Sequence, residues 1–138
     1  MAESLQDNTQ NTATTIKLPP NSQEAEQSVL GGLMLNDQHW FDLVDILQPS
    51  DFYRNQHQLI YQAMIELANQ DEALDAVTVS EKLKSKAILE KAGGIEYLGQ
   101  LAESSTGASN VLAYASIIRD RSVLRQLIGA ANQIADSA

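Results

Sequence analysis

Apolar residues recur at three- and four-residue steps along most of the chain, the spacing that gathers them on one face of a helix. Ala25, Val29, Leu33 and Met34 form the first such face. Its start is signalled by Asn21 as a cap with Glu24 three residues on, and Glu26 adds negative charge to the first turns. Gly31-Gly32 interrupts this helix, marking either a close approach to a neighbouring helix or a hinge. Asn36-Asp37 then caps a second helix carrying Trp40, Phe41, Val44 and Leu47, which Pro49 ends. Ser50-Asp51-Phe52-Tyr53 reads as a turn that tucks two aromatics into the core. Asn55 with Gln58 opens a helix through Ile60, Tyr61, Met64, Ile65 and Leu67, and Thr78 with Glu81 forms a capping box before Leu83. Ile88 to Ala92 is a short helical segment closed by Gly93-Gly94. Ile95, Leu98, Leu101 and Ala102 make the next helix, and Thr106-Gly107-Ala108-Ser109 turns the chain. Val77-Thr78-Val79 alternates too briefly to define a strand.

The last helix runs without proline from about Asn110 to Ser137. At 1.5 Å per residue it is roughly 40 Å long, whereas a compact domain of this size is about 35 Å across. It therefore either projects from the globule or is braced by another chain. Tyr114, Ile117, Leu124, Ile128 and Ala131 form one stripe on it, and Val123, Leu127, Ala130 and Ile134 an adjacent one. Such width implies two packing surfaces, one for the helix at Ile95 to Ala102 in a helical hairpin and one for a partner molecule. A single wide core face is the alternative. The pattern as a whole predicts an all-α chain: a polar tail over residues 1–21, a compact helical head over 22–93, and an antiparallel hairpin with a long C-terminal helix over 94–138. The tail is expected to be disordered, because Leu5, Ile16 and Leu18 are its only sizeable apolar side chains.

Composition narrows the function. With 138 residues the chain has room for one core, and with no cysteine it has neither disulfides nor thiolate metal sites. The net charge of −9, from 18 acidic and 9 basic residues, argues against strong DNA binding by this domain and for protein partners. No signal peptide or membrane-spanning run is present, which fits a cytoplasmic protein.

Candidate chemistry is sparse. No Gly-Lys pair exists to build a phosphate-binding loop, and no Gly-x-Gly-x-x-Gly occurs. His39 and His57 lack partners at zinc-site spacing and read as structural or surface residues. Asp42 with Asp45, and Asp71 with Glu72 and Asp75, read as solvated acids; acid–base work needs burial to separate their pKa values. Arg121 and Arg125, one turn apart near Arg119 and Asp120, either clamp a partner's carboxylates or form a solvated, partly self-neutralised face. No catalytic residue, metal or cofactor is expected. A standalone acidic adaptor and a small carboxylate enzyme are the competing classes.

Taken in order, these segments resemble the N-terminal domain of the bacterial replicative DNA helicases of the DnaB family. The resemblance rests on Pro19-Pro20-Asn21-Ser22-Gln23-Glu24-Ala25-Glu26-Gln27-Ser28-Val29-Leu30-Gly31-Gly32, then Asp51-Phe52-Tyr53 with His57, Ile60-Tyr61 and Met64. Asp75 with Val77-Thr78, Gly93-Gly94 with Tyr97-Leu98, Asn110-Val111, Ala113-Tyr114-Ala115 and Ile117-Ile118-Arg119 complete it, spanning about Pro19 to Ala138. It implies a parent hexameric helicase whose ATP- and magnesium-dependent motor lies outside this chain. It further implies pairing through the hairpin, with three dimers forming a collar, and places Tyr114, Ile117, Ile118, Leu124 and Leu127 at that contact. The C-terminal domain of primase is the implied partner, on Glu24, Tyr97, Ile128 and Ile134, with a helicase loader as a further one. Each of these four also has a purely structural reading, Glu24 as a cap and the others as packing residues.

Overall fold

The computed structural model describes residues 18–105 and 110–137. Within them lie six α-helices: α1 (Gln23–Leu35), α2 (Trp40–Val44), α3 (Asn55–Asn69), α4 (Ala76–Ser85), α5 (Gly94–Ser104) and α6 (Val111–Ser137). A 3₁₀ turn at Pro49–Asp51 joins α2 to α3, and no strand occurs among the described residues. The expected all-helical class holds. Residues 1–17 of the tail and the turn at 106–109 lie outside the described residues.

Helix α1 is the centre of the fold. Ala25, Val29, Leu30, Leu33 and Met34 are all buried, as are both glycines. It packs on α5, α6 and α3, so it is covered on several sides as a core helix must be. Gly31 permits this: a Cβ there would lie 2.1 Å from the carbonyl oxygen of Leu101 on α5. Close packing, not a hinge, explains that glycine. An aromatic group closes the other side of the core, with Tyr61 5.6 Å from Trp40 and 5.0 Å from Phe52 between ring centroids. The Tyr61 hydroxyl donates to the Leu47 carbonyl at 2.9 Å. Burial first, and then the Asp51 carboxylate, raise its pKa above the ordinary tyrosine range.

Several helix starts differ from the expected ones. Ser22, not Asn21, caps α1, accepting from the Ala25 amide at 3.2 Å. Helix α2 begins at Trp40 after His39, without a side-chain cap. Arg54 precedes α3, and Gln58 donates to the Phe52 carbonyl instead of capping. In α4 the reciprocal pair is Asp75 with Thr78, at 2.8 and 2.9 Å, three residues before the expected Thr78–Glu81 box. The segment from Ile88 to Ala92 is a run of hydrogen-bonded turns rather than a helix. Gly93 and Gly94 follow with φ of 107° and 79°, a left-handed backbone that suits glycine. Two aromatics also differ: Phe41 is 80 % exposed and Tyr53 remains at the surface, while Leu43 and Phe52 take the core positions.

Helix α6 has two halves. Val111, Ala115, Ile118 and Ser122 form its buried stripe, seated chiefly on α1 with lesser contacts to α2 and the 3₁₀ turn. Its main packing partner is thus α1, which α5 shares, rather than α5 itself. Beyond Ser122 no residue of the helix is buried, and it extends past the globule.

Candidate protein-interaction site

The base of the projecting helix is fixed by polar groups. Asp51, 2 % exposed, accepts from the Gln48 amide, the Arg119 guanidinium and the Ser122 hydroxyl, each at 2.8 Å. Arg125 donates to the carbonyls of Pro20 and Asp51, both at 2.7 Å, and its guanidinium lies 5.3 Å from the Tyr53 ring centroid. Arg125 is therefore engaged within the chain and does not form the partner clamp envisaged with Arg121. These bonds tie the 3₁₀ turn and the residues before α1 to α6 where it leaves the globule. Because bonds from a charged guanidinium are the stronger kind, they set the direction of the free half.

A second polar group lies inside the head. Glu26, expected as a first-turn charge, is 1 % exposed and accepts from the Tyr53 amide at 2.7 Å and the Arg54 amide at 3.4 Å. His57, fully buried, places Nδ1 2.7 Å from Glu26 Oε1 and Nε2 2.6 Å from the Tyr97 hydroxyl. The His57 and Tyr97 rings stack at 5.9 Å, and Gln27 donates to the same hydroxyl. His57 is the structural residue its sequence context implied. Glu26 and Asp51 are the buried carboxylates of the described chain, and donors from the fold occupy both. No group of three or more His, Cys, Asp or Glu among the described residues is placed to hold a metal ion.

The residues proposed for self-association divide. Leu124 is 46 % and Leu127 61 % exposed on the free half of α6, and Val123 on the neighbouring stripe is also exposed. Tyr114 and Ile117 are partly buried against the core. Ile118, at 1 % exposure, belongs to the core and is not available to a second chain. Its register explains this: Ile118 stands on the stripe of Val111, Ala115 and Ser122, which faces α1.

The residues proposed for a primase contact fall in two places. Glu24 is exposed and lines a cavity of about 250 Å³ with Gln27, Ser28, Ser104, Ser105 and Tyr114. Tyr97 adjoins it through its bond with Gln27 and is half committed to holding His57. Ile128 and Ile134 are exposed on the free half of α6. Ile128 stands ten residues beyond the buried Ile118, about 15 Å along the axis. The structure therefore brings Glu24 and Tyr97 into one neighbourhood and leaves the two isoleucines on the projection.

The model of the DnaB-like helicase N-terminal domain matches residues 18–120. The chain belongs to that family. It is 40 % identical over 123 residues to the replicative DNA helicase DnaB of Haemophilus influenzae, covering 89 % of this chain and 26 % of that protein. With the replicative DNA helicase DnaB of Geobacillus stearothermophilus it is 44 % identical over 119 residues, 86 % of this chain and 26 % of the relative. The chain thus spans about a quarter of the length of these curated relatives. Among solved structures, the N-terminal domain of DnaB helicase from Mycobacterium tuberculosis aligns with a TM-score of 0.83 at 39 % identity, covering 86 % of both chains. The corresponding domain from Helicobacter pylori, described together with its interactions with primase, aligns with a TM-score of 0.68 at 28 % identity, covering 82 % of this chain and 88 % of that one. This chain is accordingly a DnaB-type N-terminal domain, and the fold and family expected from its motifs hold.

Proposed function

We infer that this DnaB-type domain is the assembly and recruitment part of a replicative helicase, and does no chemistry of its own. ATP-driven unwinding is the work of the rest of the longer relatives. The domain pairs through the free half of α6, three pairs form a collar, and the collar recruits the C-terminal domain of primase through Glu24, Tyr97, Ile128 and Ile134. The primase part rests on the H. pylori domain, whose interactions with primase accompany its structure.

The observation that carries the assembly reading is the exposure of Leu124 and Leu127 on a helix already anchored at its base. With Val123 they leave roughly one and a half large side chains' worth of apolar surface in water, so burying it contributes about 2–4 kcal/mol per chain. Two chains contribute about twice that, which is comparable with the roughly 4–15 kcal/mol lost on association. Pairing by the isolated domain is therefore weak and concentration-dependent, and ring assembly of the whole helicase reinforces it by raising the local concentration.

Light scattering across a concentration series tests this. The wild-type mass rises with concentration, and Leu124→Asp with Leu127→Asp abolishes the rise while helicity is retained. A mass that stays monomeric up to the solubility limit refutes pairing through α6. Titration with the isolated C-terminal domain of primase tests recruitment: Glu24→Lys and Ile134→Asp weaken binding, and unchanged affinity in both removes these residues from the contact.

A further inference from the structure

On the side of the head formed by α2 and the α3–α4 corner, Phe41 is 80 % exposed, the highest exposure among the large apolar side chains described. It borders a groove of about 200 Å³ whose floor is Trp40 and Leu74, themselves 6 % and 5 % exposed. Asp37, Asp71 and Glu72 line the same groove, and no lysine or arginine does. Asp42 and Asp45 add exposed carboxylates on the adjoining turn of α2 and just beyond it. The sequence supports this local charge: Arg54 is the one lysine or arginine between Leu18 and Glu81, and its guanidinium donates to Gln23.

A phenylalanine held in water beside an apolar floor and ringed by carboxylates is complementary to an apolar side chain flanked by cations. We propose that this groove is a second docking site, distinct from the α6 surface, for a basic amphipathic segment of a partner protein. The partner places an aliphatic or aromatic side chain against Phe41, Trp40 and Leu74, and pairs lysine or arginine with Asp37, Asp71 and Glu72. A second copy of this chain fits poorly. A two-fold contact would set the same carboxylates against each other. A head-to-tail contact has fewer cations to draw on, because Lys86 is paired with Glu66 and Arg119 with Asp51, and Arg125 is bonded to the carbonyls of Pro20 and Asp51. Nucleic acid is disfavoured by the sign of the groove.

Trp40 is the only tryptophan of the chain and reports directly on the groove. The probe is a short synthetic amphipathic peptide without tryptophan, bearing Phe and Leu on one face and Lys on the other. Binding produces a saturable change in Trp40 emission, with amide shifts confined to residues 37–42 and 71–74. Added salt weakens it, as charge pairing at an exposed rim requires. Phe41→Ser weakens it about tenfold, equivalent to about 1.4 kcal/mol, and leaves the unfolding midpoint unchanged. Asp71→Asn with Glu72→Gln does likewise; asparagine accepts the positive φ of 58° at residue 71. The proposal is overturned if the peptide with Glu in place of Lys binds equally, if shifts map elsewhere, or if Phe41→Ser binds undiminished. It is also overturned if the peptide-free chain shows concentration-dependent shifts at these residues, which would make the groove a contact between copies.

Discussion

Replacing Gly31 by alanine tests the packing at the centre of the fold, because intrinsic propensity and packing predict opposite signs. In an unconstrained helix, Gly→Ala stabilises by about 1 kcal/mol. At Gly31 the added Cβ would stand 2.1 Å from the Leu101 carbonyl oxygen, 2.9 Å from its carbon and 3.2 Å from Ser105 Cβ. Two of these atoms are backbone, so no side-chain rotation relieves the overlap, and α1 must move away from α5. Overpacking of this kind costs roughly 1–3 kcal/mol. Here the displaced contact lies between two backbones, so the cost falls at the upper end and exceeds the propensity gain, for a net loss of about 2 kcal/mol. Gly99 on α5 is the control, since a Cβ there meets nothing within 4 Å and alanine should stabilise by about 1 kcal/mol. Urea unfolding followed by circular dichroism reads both. With an m-value of about 2 kcal/mol/M, Gly31→Ala lowers the midpoint by about 1 M and Gly99→Ala raises it by about 0.5 M. A Gly31→Ala variant as stable as wild type, or more stable, would refute the close approach of α1 to Leu101.

Three further outcomes follow from the polar groups. Glu26→Ala leaves His57 and the amides of Tyr53 and Arg54 without their buried acceptor and destabilises by about 3–5 kcal/mol, read as a lower urea midpoint. Arg125→Ala removes two bonds from a charged donor and costs about 2–3 kcal/mol; hydrogen exchange should show faster opening of Pro49–Asp51 and of α6 near Ser122. Tyr61 should resist ionisation: in an alkaline titration at 295 nm its signal, identified by difference from Tyr61→Phe, appears only on unfolding. Since its folded pKa lies above the ordinary 10.0, the neutral hydroxyl's contribution to stability is complete below about pH 10 and is lost as pH rises further. Tyr61→Phe removes that alkaline dependence, and a folded-state absorbance change that Tyr61→Phe diminishes would contradict it.

Much of the fold was legible because helical periodicity survives in a single sequence. The apolar face of α3, the burial at Leu98 and Leu101, and the excess length of α6 all followed from spacing and from 1.5 Å per residue. The errors lay where two readings of one pattern competed. Thr78–Glu81 resembles a capping box as closely as Asp75–Thr78 does, and only the start of backbone bonding at Ala76 separates them. Helical spacing groups Phe41 with Trp40, Val44 and Leu47, whereas Trp40, Leu43 and Leu47 keep the three- and four-residue steps that face the core. The roles of Glu26, Asp51 and Ser122 were missed for a different reason. Glu26 reads as a first-turn charge, Asp51 as part of a turn and Ser122 as nothing in particular, although Glu26 stands in register with Leu30 and Leu33, and Ser122 with Ile118 and Ala115. A polar residue on an apolar stripe signals a buried bond, but its partner lies distant in sequence and periodicity cannot name it. Ile118 came to the self-association surface with the family resemblance, since it lies on neither apolar stripe; a second packing face of α6 was inferable from spacing, but which face α1 covers was not.

The absence of cysteine from the chain allows the central claim to be measured at one position. A spin label on Asn132→Cys, an exposed polar residue of the free half of α6, reports whether two such helices come together. Pulsed dipolar spectroscopy should show coupling between labels on separate chains, growing with concentration and vanishing when labelled chain is diluted with excess unlabelled chain or when Leu124→Asp and Leu127→Asp are introduced. Labels that stay uncoupled at every concentration, in a chain whose helicity is intact, would contradict assembly through α6.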